Sequence, residues 1–418
     1  MANRNNSSRR VVITGIGAIT PLGTGVEKLW EGLLDGRSGI RRIEHFDASG
    51  LACQIAGEIP DFVSTDHIPA KEARRMSRAS QISLAAIQMA VENSGLEEPF
   101  TDSERIGVTL GTAVGGLERS IEGARAYREE GPSKVNPFTI PSSIANMSAF
   151  HISERYKAHG PSMCLVTACA TGTQIVGEAA QTIRDGRADI VLTAGTEAMI
   201  EGFAVAGFAA MRALPTSYND DPERASRPFD AKREGFVFSE GAAGLVIESL
   251  ESAQERGAHI YAEIAGHASS SDGFHMAKPD PSGAGAQRTM RWALEDAQAS
   301  ADEVSYINAH GTSTPANDSV ETLAIKSLFG EAAYGIPISS TKSMIGHPMA
   351  ASGAVEAIVC ALTIDRCAIH PTINYENPDP DCDLDYVPNE ARDAKVDVTL
   401  SNSFGLGGQN ACLVLKRI

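Results

Sequence analysis

A chain of 418 residues with 42% apolar and 21% charged side chains can fill one large core or two moderate ones, in the manner of an ordinary globular protein. Lys and Arg number 36 against 53 Asp and Glu, and the resulting charge of −17 argues against general binding to nucleic acid or anionic membranes while leaving room for a local basic patch. No apolar stretch reaches membrane-spanning length, the polar start does not read as a secretion signal, and 7 scattered cysteines without a CxxC pair suit a reducing cytoplasm rather than a disulfide scaffold or a zinc site.

In chain order, residues 9–17 predict a first strand, followed by a helix over 26–34. A second helix over 76–94 carries its apolar positions at Ile82, Leu84, Ala85, Ile87, Met89 and Val91. Strand 106–110 runs into a glycine-rich turn at 111–116. A helix over 141–151 precedes strand 164–167, helix 172–185 follows at once, and strands 190–194 and 243–248 close the first half. The second half repeats the alternation with strand 260–266, helix 282–298, strand 304–308, helix 318–329, strand 338–340 and helix 350–363. Strands 398–401 and 411–415 end the chain around a glycine-rich loop. Short apolar strands alternating with helices predict an α/β architecture with buried sheets. Both halves end in a glycine-bounded strand pair. That predicts two similar halves, residues 1–255 and 256–418, packed as one compact unit without a flexible linker.

Cys169 lies where an apolar run meets a cluster of small residues and a helical pattern begins. A strand-to-helix turn of this kind puts a thiol at a helix N-terminus, where free backbone N–H groups favour thiolate, and leaves it among residues too small to cover it. Most free cysteines only pack, and Cys164, Cys360 and Cys412 fit that description. His310 ends a strand and precedes Gly311 and Thr312, which places it at the rim of a sheet or makes it a loop cap. His347 stands between Gly346 and Pro348, ahead of a small-residue helix, as a site residue or a packed helix start. Lys342 follows an apolar strand. If buried it needs a carboxylate, for which Glu356 on the next helix is the best local candidate, and its charge would keep nearby imidazoles neutral; the alternative is a surface lysine. Gly15 and Gly17 lack a complete GxGxxG because position 20 is Thr, so no nucleotide cofactor is predicted. The loop beside Phe404 could lend backbone N–H groups to an oxyanion site.

Together, Thr167-Ala168-Cys169, His310-Gly311-Thr312, Lys342-x4-His347 and Asn402-Ser403-Phe404-Gly405-x-Gly407-Gly408 resemble the condensing enzymes of fatty-acid synthesis. The resemblance is greatest to the type II elongating beta-ketoacyl-acyl-carrier-protein synthases and extends from Val11 to Leu415, through Ser226-Arg227-Pro228-Phe229-Asp230 and Pro371-Thr372-Ile373-Asn374-Tyr375. It implies a thiolase-like fold, two related halves in five α-β-α-β-α layers, usually as a cytoplasmic homodimer. It implies Cys169 as acyl-carrying nucleophile, His310 and His347 as enolate-stabilising donors, and the N–H groups of Cys169 and Phe404 as the oxyanion site. Lys342 with Glu356 would tune the site and Phe404 would gate it. Thr312 and Thr314 would contact phosphopantetheine, and Val114 and Phe208 would line the acyl channel. Lys71, Arg74, Arg75 and Arg212 would receive an acidic acyl-carrier protein, and no metal or redox cofactor is required.

Three departures stand out: Leu406 where a second Phe is frequent, Gln409 where Thr is usual, and Pro348-Met349-Ala350 for Leu-Leu-Gly. None removes a reacting group. A second histidine in the Lys342-x4-His347 motif and no convincing second active-site cysteine favour decarboxylative elongation over degradative thiolysis. A type II polyketide ketosynthase and a noncatalytic subunit of a synthase complex are the alternatives.

Overall fold

The computed structural model describes residues 9–418; the first eight residues, part of the polar start read above, lie outside it. Ten strands form the path of the main sheet: β1 (Val11–Thr20), β2 (Ile106–Gly111), β3 (Ser162–Leu165), β4 (Ile190–Glu197), β5 (Gly241–Ser249), β6 (Ala262–Ser271), β7 (Tyr306–Asn308), β8 (Ile338–Ser339), β9 (Val398–Gly405) and β10 (Gln409–Lys416). The helices of nine residues or more are α1 (Val26–Leu34), α2 (Arg78–Ser94), α3 (Leu117–Glu130), α4 (Met147–Tyr156), α5 (Thr171–Arg184), α6 (Gly202–Ala210), α7 (Ala284–Asp296), α8 (Pro315–Phe329) and α9 (Ser352–Arg366).

The first five strands lie in the order β3-β2-β4-β5-β1 and the last five in the order β8-β7-β9-β10-β6. Counted within its own set, each order is third, second, fourth, fifth, first. In both sets the first three strands of that order run parallel and the remaining pairings are antiparallel. The sets are not separate sheets. A short antiparallel ladder, Val12 to Glu263 and Ile13 to Ala262, joins β1 to β6 and makes one mixed sheet.

The helices supply the other layers. α2 packs on β1, β4 and β5, while α7 packs on β6 and β10 with α8 beside it. Between the two sets lie α5 and α9, which touch each other and strands of both. Every residue of α9 from Ser352 to Ile364 is buried, as a helix enclosed on all sides requires. A Cβ at Gly353 would lie 2.1 Å from Thr173 Oγ1, and one at Gly172 would lie 2.6 Å from the Ala354 nitrogen. The central pair crosses at glycine because no side chain fits. This is the five-layered α-β-α-β-α arrangement that the resemblance implies.

Several element bounds differ from expectation. The single helix over 141–151 is two, Thr139–Ser143 and α4, interrupted where Ile144 is extended. β3 stops at Leu165, two residues early, and Val166 is exposed. α8 begins at Pro315, three residues early, with proline in its first turn and the Thr314 hydroxyl accepting from Asn317 N–H at 3.3 Å. The sequence reading omits α3, which buries only Gly123 and so offers no apolar stripe, and α6, whose Gly202-to-Ala210 run has no polar face.

Candidate active site

β3 and α5 are joined by a tight turn in which Ala168 has φ 50°, an unfavourable value for a residue with a Cβ. Thr171 holds the turn closed: its hydroxyl accepts from Thr167 N–H at 2.8 Å and donates to the Ala168 carbonyl at 2.7 Å. Cys169 stands at its centre with 6% of its surface exposed. Its neighbours are small, as the sequence reading has it, but the end of β9 covers it. A Cβ at Gly405 would lie 2.7 Å from the Thr167 carbonyl and 3.1 Å from the Cys169 nitrogen, so glycine permits that lid.

Burial also reverses the expected thiolate. Loss of solvation pushes the Cys169 thiol up to about 11, although the Lys342 charge and the N–H groups of Leu406 and Cys169 itself pull it down. The resting group is a thiol. The N–H groups that favour the Cys169 anion are those of Leu406 and Cys169 itself, while the Phe404 main chain faces the His310 ring.

His310 follows β7 on a backbone held by a carboxylate that sequence reasoning missed. Glu321 accepts from the N–H groups of His310 and Gly311, each at 2.8 Å, and from Asn402 Nδ2 at 3.3 Å. It thereby ties the histidine loop to β9. Glu321 is fully buried and pushed up to about 7 by that burial. The available signal was an acidic residue four positions before Ile325, on the buried face of α8.

The His310 and His347 rings lie 5.5 Å apart, nearly perpendicular, with Phe404 5.6 Å from His310 and Phe236 5.4 Å from His347. His347 Nδ1 pairs with the Ser352 hydroxyl at 2.9 Å. His347 Nε2 and His310 Nδ1 are buried without a partner among the described residues. Both rings are held well below the usual imidazole range by burial first and the Lys342 charge second; His347 adds to the effect at His310. Lys342 and Glu356 form a fully buried ion pair. Burial outweighs the lysine's influence on Glu356 and raises its carboxyl. The Lys342 carbonyl accepts from Ser226 at 2.6 Å, which anchors the lysine turn to the 226–230 segment.

Cys169, His310, His347, Thr312, Thr314 and Phe404 line one cavity of about 380 Å³. Phe208, Arg212, Met349 and Leu406 contribute to its wall, so two of the three sequence departures reach the site. Thr312 and Thr314 hydroxyls pair at 2.9 Å. Val114 is not in the cavity wall. It packs with Phe208 against an apolar cluster that contains Cys169, Met199, Phe236 and Met349. The sulfur therefore lies between an open cavity and an apolar cluster. Lys71, Arg74 and Arg75 are exposed at and just after the short helix Ala70–Ala73, outside the cavity wall, and Arg75 covers the Phe138 ring at 4.7 Å. Leu406 is 38% exposed at the tip of the β9–β10 turn. Among the described residues, no helix is long and apolar enough to cross a membrane.

Comparison with known proteins matches residues 8–253 to the family described as beta-ketoacyl synthase, N-terminal domain, and residues 261–376 to its C-terminal domain. The chain belongs to the beta-ketoacyl synthase family. Within that family it is 48% identical to 3-oxoacyl-[acyl-carrier-protein] synthase 2 of Synechocystis sp. over 413 residues, 99% of each chain. It is 47% identical to the protein of the same name from Staphylococcus aureus over 412 residues, again 99% of each. A solved structure described as a type II PKS acyl-carrier protein in complex with its ketosynthase, AntDE:AntF, matches with a TM-score of 0.90. That pair is 35% identical, with 99% of this chain and 100% of the other covered.

Proposed function

We propose that this protein elongates fatty acyl chains by decarboxylative Claisen condensation, carrying the growing chain on Cys169. The convergence of one thiol and two neutral histidines on a single cavity carries this reading. The enzyme is a 3-oxoacyl-acyl-carrier-protein synthase of the type II form, and its partner is acyl-carrier protein.

In the first half-reaction the Cys169 sulfur attacks an acyl thioester of the carrier. A new C–S bond forms, the carrier's C–S bond breaks, and the thiol proton leaves with the released carrier thiol. N–H groups at the turn and at the end of β9 meet the oxygen that becomes negative. In the second, malonyl-carrier protein enters by the Thr312 and Thr314 side. The C–C bond to its carboxylate breaks, CO2 departs, and the electron pair passes to the thioester oxygen as an enolate. His310 and His347 stabilise that oxygen. With Ser352 donating to Nδ1, His347 presents Nε2–H to the cavity, and a ring held neutral donates without giving up its proton. The enolate carbon attacks the acyl carbonyl, the Cys169 thiolate leaves and takes a proton, and the 3-oxoacyl-carrier protein is two carbons longer. Because decarboxylation generates the carbanion, no strong base is needed.

The 48% identity to an elongating synthase, against 35% to the polyketide ketosynthase, favours fatty-acid elongation over polyketide extension. The same reading divides the chain into halves at residue 255, supported by the repeated strand order. It makes the protein a cytoplasmic homodimer. β3 is one of the two edge strands of the main sheet, and apolar Val166 and Phe150 are exposed beside it, which supports pairing of two copies there. All seven cysteines are unpaired, in keeping with a reducing compartment.

The test is a panel of saturated and monounsaturated acyl-carrier proteins, C4 to C18, incubated with the enzyme and malonyl-carrier protein and read by intact mass. Extension by two carbons across the panel is expected. Loss of acylation in Cys169→Ala, and loss of malonyl decarboxylation by about 100-fold or more in His347→Ala, should accompany it. Acylation without extension, or extension only of a polyketide intermediate, would overturn the reading.

A further inference from the structure

One buried carboxylate near the sulfur has no role in the steps above. Glu197 ends β4 and is fully buried, and among the described residues no cation pairs with it. Its partners all lie in one loop. Its Oε2 accepts from Ala113 N–H at 2.8 Å, and its Oε1 accepts from the Thr112 hydroxyl at 3.3 Å. That hydroxyl accepts in turn from Gly115 N–H at 3.0 Å. The carboxylate and one threonine thus bind together residues 112–115, where the chain leaves β2 and turns toward α3. On its other side the loop is held by Gly116 N–H, which donates to the Ser143 carbonyl at 3.2 Å.

The loop carries Val114, which packs in the apolar cluster shared by Cys169, Phe208 and Met199. An acyl chain on Cys169 has this cluster as its apolar surroundings away from the mouth of the cavity. Burying a carboxyl group costs free energy that a neutral side chain would avoid. Loss of solvation pushes Glu197 up to about 7 despite the N–H groups that favour its anion. Glu118 of α3 adds to the upward push, and the Cys169 thiol is the other titratable group that senses it. Fixing a loop explains why all of its hydrogen bonds go to successive groups of one turn.

We propose that Glu197 is a positioning residue that holds the 112–115 loop against the acyl site and so limits the chain length accepted on Cys169. The proposal rests on the reading that Val114 lines the acyl path. With the anchor in place, a long chain must displace a loop fixed at both sides. With the anchor shortened, the loop yields and long chains gain relative to short ones.

The experiment compares transfer of butyryl and palmitoyl groups from carrier protein to Cys169, by intact mass, in wild type, Glu197→Asp, Glu197→Ala, Glu197→Gln and Val114→Phe. Asp keeps the charge but loses the reach, and it should raise the palmitoyl-to-butyryl ratio by about fivefold or more, as should Ala. Gln keeps an oxygen within reach of Ala113 N–H and should restore the wild-type ratio. Should the Ala variant fail to fold, the Asp and Gln pair carries the test. An equal fall for both chain lengths would mean that Glu197 only supports the fold, and an unchanged ratio in Asp would likewise overturn the proposal. Val114→Phe separates the two readings: it should lower the ratio by about tenfold. If it does while Asp has no effect, Val114 lines the path and Glu197 does not control it. If it does not, the reading of Val114 fails first.

Discussion

Cys169 is covered closely enough that an acyl group placed on it meets little water, and the same cover keeps the free sulfur protonated. The two consequences share one cause, loss of solvation, which outweighs the Lys342 charge and two N–H groups. A thiol pushed up to about 11 gives a definite kinetic signature. Alkylation of the resting protein at Cys169 by iodoacetamide, followed by intact mass, should rise about tenfold per pH unit between roughly pH 7 and 10 without a plateau. A plateau near pH 8 would show that the turn lowers the thiol more than burial raises it. Lys342 and Glu356 meet the same cost as a pair: each charge lowers the cost of burying the other, although burial still raises the Glu356 carboxyl. Lys342→Met or Glu356→Leu alone should cost about 3–5 kcal/mol in denaturant unfolding, because each leaves a buried charge unpaired. The double variant should recover about 2 kcal/mol or more of the summed loss. Strict additivity would show that the pair is not coupled.

At the scale of elements, the site depends on backbones that approach too closely for side chains. α5 follows the turn that holds Cys169 and α9 follows His347, so the crossing of these helices fixes the spacing between the two parts of the site. Gly353→Ala would drive a methyl group to 2.2 Å from the Thr173 nitrogen, which cannot swing away as a flexible side chain could. A loss of about 1–3 kcal/mol is expected, seen as a drop of several degrees in Tm, with activity falling although no reacting group is changed. An unchanged Tm would mean that the helices separate freely. Much of this arrangement was legible in the sequence, because strands enclosed on both faces read as apolar runs and α2 has a regular apolar face. Cys169, His310 and His347 were legible for another reason: each stands where a strand or tight turn meets a glycine- or small-residue-rich segment. What escaped was not periodic or not local. α3 buries only a glycine, and Glu321 and Glu197 take their meaning from N–H groups that the fold brings beside them. The raised thiol escaped because burial of Cys169 comes from β9, more than 200 residues away in the chain.

For the whole molecule, the net charge of −17 would repel an acidic carrier protein at long range, so productive docking requires a local reversal of sign. Arg212 is exposed and contributes to the wall of the catalytic cavity. Lys71, Arg74 and Arg75 form a second exposed group, and the stacking of Arg75 on Phe138 gives that side chain a fixed place rather than a free solvated one. A carrier delivering its pantetheine arm past Thr312 and Thr314 would meet Arg212 in the cavity wall, and the second group lies outside that wall. Arg74→Glu combined with Arg75→Glu should therefore raise KM for acyl-carrier protein by about tenfold or more at low salt. Transfer from a small acyl thioester, which needs no docking surface, should change by less than about twofold. The difference should shrink as ionic strength approaches roughly 0.5 M, because exposed charges are screened over a few ångströms there. Equal losses with both donors would place the damage in the fold or the cavity and remove these arginines from the docking surface.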